Sequence, residues 1–100
     1  MDIELFYEEM GSGEPLILLH GNGEDHTIFN KIADYFSGKY RVISIDTRGH
    51  GESPMGEEPF SLYQFAEDLN DFMDEHNIEK ANILGFSDGG NIALIFASEY

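Results

Sequence analysis

The stretch from Ile83 to Asn91, ILGFSDGGN, ends an apolar run with a serine set between glycines. The pattern Gly85-Phe-Ser87-Asp-Gly89 follows a predicted buried strand and precedes a predicted helix. A tight turn there lifts the serine hydroxyl clear of the sheet and strains the serine backbone. A Cβ two residues away on either side would collide with the turn, which favours glycine at both positions. The stretch therefore predicts a turn that presents Ser87 as a nucleophile.

The plainer alternative is that Ser87 only caps the following helix and that the glycines form an ordinary turn. The short pattern alone is weak, so a second glycine-rich loop, His20-Gly21-Asn22-Gly23, carries much of the argument. When a serine attacks an ester carbonyl, the resulting oxyanion needs two fixed N–H donors. We expect these donors to be the N–H groups of Asn22 and Asp88, with Gly21 and Gly23 permitting close approach. His20 is expected to orient this loop through hydrogen bonds.

The rest of the sequence predicts alternating strands and helices. Apolar runs predict strands at Ile3–Tyr7, Leu16–His20, Arg41–Ile45 and Ala81–Leu84, and helices are predicted at Thr27–Ser37, from Ser61 to about Glu75, and at Asn91–Ala97. Turns are predicted at Gly11–Pro15 and Asp46–Pro59. The first helix is expected to bury Ile28, Ile32 and Tyr35 or Phe36, and the second to bury Leu62, Phe65, Leu69 and Phe72 or Met73. Helices between buried strands indicate an α/β fold with a mostly parallel sheet.

Composition excludes several classes of partner and site. Twenty acidic residues against five basic ones give a net charge of −15, which repels nucleic acids and anionic membranes. Most of these acids are expected on a solvated surface. The chain has no cysteine, so it holds no disulfide and no thiolate metal site. No apolar run approaches the length of a membrane span and no secretion signal is seen, so a cytoplasmic location is expected.

Three segments, LILLHGNG (16–23), VISIDTRGHGES (42–53) and ILGFSDGGNIAL (83–94), together resemble the α/β-hydrolase fold superfamily of the serine esterase kind. The resemblance implies a three-layer α/β/α fold in which Ser87 is the nucleophile and Asn22 and Asp88 are oxyanion donors. It also implies that Asp46 and Arg48 make local hydrogen bonds and that His50 is structural. His26 and His76 are interpreted as ordinary surface residues.

A serine nucleophile in this superfamily implies hydrolysis of small carboxylic esters or related acyl substrates through an acyl-enzyme, with no metal or organic cofactor. The side chain of Asp88 allows two interpretations, a favourable charge at the start of a helix or a contact with a cationic substrate group. A nucleotide-binding function is disfavoured, because no G-x-G-x-x-G follows the first parallel strand.

Residues 1–100 are expected to form a single partial domain of this fold, without its last strands, its lid, its catalytic acid or its catalytic histidine. The isolated chain is therefore expected to be nearly inactive, because a serine hydroxyl needs a base. The strand Ala81–Leu84 is expected to have an open edge, so that the chain forms a homodimer, swaps elements or is only marginally stable. The alternative function is a non-catalytic fragment or interaction module that needs a complementing partner.

Overall fold

One four-stranded sheet organises the chain in the computed structural model, which describes residues 1–58 and 61–100. The strands are β1 (Tyr7–Met10), β2 (Glu14–Leu19), β3 (Tyr40–Ile45) and β4 (Asn82–Gly85). A 3₁₀ turn at His26–Phe29 leads into α1 (Asn30–Phe36), and two longer helices follow, α2 (Leu62–Glu75) and α3 (Asp88–Glu99). The spatial order is β1-β3-β2-β4, with β1 antiparallel to β3 and the other pairs parallel. The predicted mostly parallel α/β sheet is therefore confirmed. The predicted end of the loop after β3, at Pro59, lies outside the described residues.

The continuous apolar run of β2 arises because both faces of the sheet are covered. Ile17 and Leu19 point to the larger core, which contains buried side chains of α2 and α3. Leu16 and Leu18 point the other way and pack with Phe29 of the 3₁₀ turn and with α1. Successive side chains of a strand face opposite sides, so a strand between two helical layers is apolar throughout. The predicted three-layer arrangement is confirmed.

The first strand lies later in the chain than predicted. The strand expected at Ile3–Tyr7 forms instead at Tyr7–Met10, where Tyr7 pairs with Ile45 and Met10 with Val42. The segment before it packs against the protein rather than joining the sheet. Leu5 is buried in the larger core, and the N–H of Phe6 donates to Ser53 Oγ at 2.8 Å. These tertiary contacts override the weak apolar alternation of the sequence.

The buried face of the first helix is also different from the predicted one. Ile28, Ile32 and Tyr35 are exposed, Tyr35 by 80% of its surface, whereas Phe29 is only 2% exposed and Ala33 is buried. Phe36, one of the two alternatives predicted for the end of this face, packs against the same core. The predicted and the observed buried residues both have helical spacing, and the observed set is shifted by one residue along the chain. The helix begins with a tighter 3₁₀ turn, which rotates the following residues relative to a continuous α-helix. In α2, Phe65, Leu69, Phe72 and Met73 are buried as predicted, and Leu62 packs at the margin of the core.

Arg48 and Asp68 form a buried ion pair that ties the loop after β3 to α2. Arg48 is 0% exposed, and its Nε and Nη2 donate to Asp68 Oδ2 and Oδ1 at 2.9 and 2.8 Å. Nη2 also donates to Asp2 Oδ1 at 2.7 Å, while Nη1 donates to the carbonyl of Met55. The resemblance implied that Arg48 makes local hydrogen bonds. Of the partners of its guanidinium group, Met55 is local, whereas Asp2 and Asp68 are distant in sequence. Asp68 is also an exception to the solvated acidic surface, and its partners explain why it can be buried.

The helices of the described part of the chain are too short or too polar to cross a lipid bilayer.

Candidate active site

Ser87 occupies the turn between β4 and α3 in a backbone conformation that is rare for residues other than glycine. Its φ and ψ are 57° and −118°. Among the described residues, Ser87 and Asn77 are the non-glycine residues with a positive φ. Ser87 stands at the N-cap position of α3, yet its side chain makes no capping hydrogen bond. The residue is exposed. The geometry therefore differs from that of an ordinary helix cap, whose extended backbone allows the hydroxyl to bond the helix.

Close backbone contacts leave no room for a side chain at Gly85 and Gly89, the two glycines that flank Ser87. A Cβ on Gly85 would overlap the carbonyl of Gly89, and a Cβ on Gly89 would overlap the carbonyl of Leu19 at the end of β2. The N–H of Phe86 donates to the carbonyl of Leu19 at 2.9 Å. The turn is thus packed directly on the end of β2. Gly89 is needed for this packing, whereas the sequence had assigned both glycines to the turn itself.

The loop after β2 lies beside Ser87, as its place at the carboxyl end of a neighbouring strand requires. A Cβ built on Gly21 would lie 3.1 Å from Ser87 Cβ and 3.3 Å from the carbonyl oxygen of Phe86. Gly23 has a φ of 79°, which favours glycine for a different reason. Gly21 therefore permits a close approach of two backbones, and Gly23 permits the turn.

Two backbone N–H groups next to Ser87 have no acceptor among the residues that the structure describes. They belong to Asn22, in the loop after β2, and to Asp88, the first residue of α3. The neighbouring Gly21 N–H, by contrast, donates to Glu24 Oε1 at 2.9 Å. For Asp88 the free N–H is expected, because the first N–H groups of a helix lack partners within the helix and carry partial positive charge. The two groups are therefore available to an incoming anion or polarised carbonyl.

His20 is buried and connects this loop to the next one. Its Nε2 accepts from the N–H of Thr47 at 3.0 Å, which places the proton on Nδ1, and Nδ1 donates to the carbonyl of Gly21 at 2.7 Å. Burial lowers the pKa of His20 below its usual value, and the contact with the Gly21 carbonyl opposes this only in part. The neutral ring therefore holds the two loops together.

A small cavity of about 10 Å³ adjoins these loops. Its walls include Asn22, Asp88, His20, His50 and Phe65. Nδ1 of His50 lies 3.0 Å from the carbonyl of Arg48, and its ring centroid is 5.1 Å from that of His20. The structure thus brings the residues of the serine turn and of the loop after β2 to one end of the sheet, and the loop after β3 forms the third side.

His26 is not the surface residue that the sequence suggested. It is buried, its Nδ1 lies 2.8 Å from Asp46 Oδ1, and its Nε2 lies 3.2 Å from Glu8 Oε1. Burial lowers the pKa of His26, but the hydrogen bond and charge of Asp46, with those of Glu8, outweigh burial and raise it above its usual value. His76, the other predicted surface histidine, is half-buried against Phe72.

Asp25, His26 and Asp46 offer ligand atoms within 4.8 Å of one another, yet these atoms are already bonded within the protein. Asp46 Oδ1 accepts from the N–H of His26 at 2.7 Å and also contacts its ring, and Asp46 Oδ2 accepts from the N–H of Glu52. Asp25 Oδ1 accepts from the N–H of Thr27 at 2.9 Å and caps the 3₁₀ turn. The cluster therefore organises the loops at this end of the sheet. The long-range role of Asp46 again exceeds the local one expected.

Glu24 was missed by sequence reasoning, although it touches the candidate site. Its carboxylate accepts from the Gly21 N–H, and its own N–H donates to the Gly21 carbonyl at 3.2 Å. These contacts fix the peptide that precedes Asn22. A signal was present in the sequence, because an acid three residues after a glycine can close a tight turn onto its N–H.

Comparison with known proteins places this geometry in a family. A family model described as the alpha/beta hydrolase fold matches residues 14–100. Among solved structures, a marine microorganism esterase is 40% identical, has a TM-score of 0.91 and is matched over 96% of this chain and 37% of its own. A thermophilic esterase from Thermogutta terrifontis is 33% identical with a TM-score of 0.92, matched over 98% of this chain and 36% of its own.

Curated relatives are similar over most of this chain. A 3-oxoadipate enol-lactonase from Acinetobacter baylyi is 38% identical over 79 residues, which are 79% of this chain and 29% of the lactonase. An uncharacterised protein of Mycobacterium tuberculosis is 32% identical over 90% of this chain and 26% of its own length. The chain thus spans about a quarter to a third of the curated relatives that it matches.

Proposed function

Because this chain belongs to the alpha/beta hydrolase fold family, we propose that it carries the nucleophile and the oxyanion donors of a serine hydrolase. The proposed substrates are small carboxylic esters or related acyl compounds. The observation that carries the proposal is Ser87, which has a strained backbone and makes no capping bond beside a glycine loop. Strain of this kind persists where the surrounding structure enforces it, and it is concentrated at functional sites. Relatives whose names include esterase and enol-lactonase support the choice of an ester or lactone.

In the proposed mechanism, Ser87 Oγ attacks the carbonyl carbon of the substrate and its proton passes to a general base. The oxyanion is held by the N–H groups of Asn22 and Asp88. When the carbon–oxygen bond breaks, the alcohol leaves with the proton held by the base, and the acyl group remains on Ser87. Water, deprotonated by the same base, then attacks the acyl-enzyme and releases the acid and the free serine.

The general base is proposed to lie outside these 100 residues. His20 is unsuited to the task, because both of its ring nitrogens are bonded to the backbone. His26 is also unsuited, because both of its ring nitrogens face carboxylates. The superfamily order, in which the acid and the histidine follow the nucleophile, agrees with this assignment. Without a general base, the chain is expected to keep the proposed oxyanion donors and to lose most of the rate of ester hydrolysis.

The experiment that tests the proposal is labelling with a fluorophosphonate probe in two proteins. The first is this chain, for which little labelling is expected. The second joins this chain at Tyr100 to the remaining residues of the marine microorganism esterase, and labelling and ester hydrolysis are expected. Ser87→Ala should abolish both, whereas Ser98→Ala, an exposed serine of the same helix, should leave both unchanged. Labelling that persists in the Ser87→Ala chimera would contradict the assignment of the nucleophile.

A non-catalytic module that needs a complementing partner is the second candidate, and it is favoured by β4, which pairs with β2 alone among the described residues. The same chimera distinguishes the two functions. A folded chimera that hydrolyses no ester and binds no probe would favour the second.

A further inference from the structure

Gly21 lies between two peptide groups that determine the direction of the proposed donor of Asn22. The first peptide carries the Gly21 N–H, and the second carries both the Gly21 carbonyl and the Asn22 N–H. A trans peptide is planar, so its N–H points away from its carbonyl oxygen, and the described peptide bonds are trans. Contacts that fix the conformation of Gly21 therefore fix the direction of the Asn22 N–H.

Gly21 has a backbone that its own side chain cannot restrain. Without a Cβ, glycine has access to more backbone conformations than other residues. A Cβ at this position would lie 3.1 Å from Ser87 Cβ and 3.3 Å from the carbonyl oxygen of Phe86, so the close approach of the two loops favours glycine. The residue that precedes the proposed donor must therefore be held by contacts from other residues.

Glu24 supplies such contacts to both peptide groups. Its Oε1 accepts from the Gly21 N–H at 2.9 Å, and its own N–H donates to the Gly21 carbonyl at 3.2 Å. The same carbonyl accepts from His20 Nδ1 at 2.7 Å. The carbonyl of Gly21 is thus held by a ring and by a backbone turn, whereas its N–H is held by the Glu24 carboxylate. Removing the Glu24 side chain would release the Gly21 N–H and keep both contacts to the carbonyl.

We propose that Glu24 is a positioning residue, whose carboxylate holds the Gly21 N–H and thereby keeps the Asn22 N–H aimed at the carbonyl oxygen of a substrate. This role rests on the proposed function, in which Asn22 is an oxyanion donor. Glu24 touches no substrate in this scheme and transfers no proton. An oxyanion donor is effective only when it is fixed before the charge develops, so a donor that follows a glycine depends on the residue that restrains this glycine.

The hydrogen bond of Glu24 and its charge have opposite effects on the proposed reaction. A carboxylate near the forming oxyanion repels it, and Asp88 already places an acid next to Ser87. Repulsion alone predicts that loss of the Glu24 carboxylate raises the rate, whereas positioning predicts that this loss lowers the rate. Glutamine separates the two effects, because its amide oxygen accepts from an N–H and carries no charge.

Ester hydrolysis by the chimera described above measures this difference. Glu24→Ala should lower kcat by about tenfold, which is less than the hundredfold or more expected for complete loss of a donor. KM should change little, because the donor acts in the transition state. Glu24→Gln should retain the activity of the unaltered chimera or exceed it. Glu14→Ala, which removes an exposed acid at the start of β2, should leave kcat and KM unchanged.

Amide hydrogen exchange, followed by NMR in this chain without the added residues, measures the contact itself. The Gly21 N–H should be protected in the unaltered chain, in Glu24→Gln and in Glu14→Ala, and it should lose that protection in Glu24→Ala. The N–H of Ile43, which is fully buried in the sheet, should exchange at the same rate in all four proteins. This comparison distinguishes loss of one contact from loss of global stability.

Three results would each overturn the proposal: a kcat that is unchanged or raised in Glu24→Ala, an equal loss of activity in Glu24→Gln and Glu24→Ala, or protection of Gly21 that survives Glu24→Ala. A chimera that folds but hydrolyses no ester would overturn the proposed function and this role of Glu24 with it. Hydrolysis that Ser87→Ala abolishes and Glu24→Ala leaves intact would overturn the role of Glu24 alone.

Discussion

Gly21 is the residue on which the contact between the serine turn and the loop after β2, with its proposed oxyanion donor, most depends. Its missing side chain leaves room for Ser87 Cβ on one side and Glu24 Oε1 on the other. A methyl group there would lie 2.7 Å from Glu24 Oε1, so it would displace this carboxylate from the Gly21 N–H, and at 3.1 Å from Ser87 Cβ and 3.3 Å from the Phe86 carbonyl oxygen it would shift the loop by a few tenths of an ångström. The Asn22 N–H would move with it. Oxyanion donors act only when they are fixed at the position that the charge will occupy.

The substitution Gly21→Ala should therefore reduce ester hydrolysis by the chimera described above, by about a hundredfold or more in kcat. Thermal stability should change much less, since the loop lies at the surface end of the sheet. Gly38→Ala is the matched control, because a Cβ there meets nothing within 4 Å and its φ is not positive. Equal activity of the two variants would contradict the assignment of the loop.

Asp88 contributes both a backbone N–H and a carboxylate beside Ser87. Its side chain makes no hydrogen bond to any described residue, and it lies in the first turn of α3. Both earlier interpretations therefore remain open, a favourable charge at a helix start or a contact with a cationic substrate. Asp88→Asn keeps the backbone donor and removes the charge. If the carboxylate contacts substrate, kcat/KM for amino-acid esters should fall by about tenfold relative to neutral esters, which corresponds to about 1.4 kcal/mol. An equal effect on both esters would leave the helix interpretation.

The sequence predicted the residues of the candidate site more readily than the residues that hold them in place. Ser87, Asn22 and His20 belong to loops that follow strands, and such loops meet at one edge of a parallel sheet. The roles of His26 and Glu24 depend on contacts with specific partners. No periodicity marks a histidine that bridges Asp46 and Glu8 across three segments. That contact is set by how the loops pack, which a single sequence does not display.

At the scale of elements, the ion pair of Arg48 and Asp68 fastens α2 to the loop that follows β3. Both side chains are almost fully buried, and each satisfies the hydrogen-bonding groups of the other. Removing one partner of a buried pair costs about 3–5 kcal/mol when the other charge is left uncompensated, and here the remaining contact of Arg48 with Asp2 keeps the cost near the lower end of this range. Asp68→Ala should therefore lower the free energy of unfolding by an amount of this order in urea titration. Asp74→Ala, exposed on the same helix, should change it by less than about 0.5 kcal/mol.

His26 couples the edge strand β1 to the end of β3 in a manner that depends on pH. Because its pKa is raised in the folded protein, the stabilisation is fully present below the ordinary pKa of 6.5. It is lost as the pH rises through the higher pKa of the folded state. His20 acts in the opposite sense, since its pKa is lowered and its contribution is lost as the pH falls below 6.5.

Unfolding of His26→Gln at a series of pH values should separate these two contributions. The difference in unfolding free energy between the unaltered chain and the variant should be largest in mildly acidic solution and should shrink above pH 6.5. A difference that stays constant across this range would show that His26 is not charged in the folded protein. His76→Gln serves as the control for loss of a histidine on another element.

The elements themselves were predictable where burial on both sides of the sheet leaves a continuous apolar signal. β2, β3 and β4 lie within two residues of their predicted positions at each end. β1 was misplaced because an edge strand has few buried side chains and its position is set by pairing with β3. The phase of α1 was wrong because Ile28–Ile32 and Phe29–Ala33 have the same spacing. A pattern with two equivalent phases is resolved only by packing.

At the scale of the whole molecule, the net charge of −15 is confined to a small volume. The radius of gyration is 12.3 Å, which is shorter than the distance over which charges interact at low ionic strength. The screening length is about 30 Å at 0.01 M salt and about 8 Å at 0.15 M. At low salt, each carboxylate therefore interacts with carboxylates across the molecule. Unfolding separates these charges, so self-repulsion destabilises the compact state.

Raising the sodium chloride concentration from about 0.01 M to about 0.15 M should accordingly raise the melting temperature. Over this range the screening length falls from a value larger than the radius of gyration to a value smaller than it. The buried Arg48–Asp68 pair is little screened, so it should not cancel this gain. Replacing exposed Glu57 and Glu58 with glutamine should raise the melting temperature at low salt and have a smaller effect at 0.15 M. A melting temperature that falls with added salt would show that attractive surface pairs, such as Arg41 with Glu9, outweigh the repulsion.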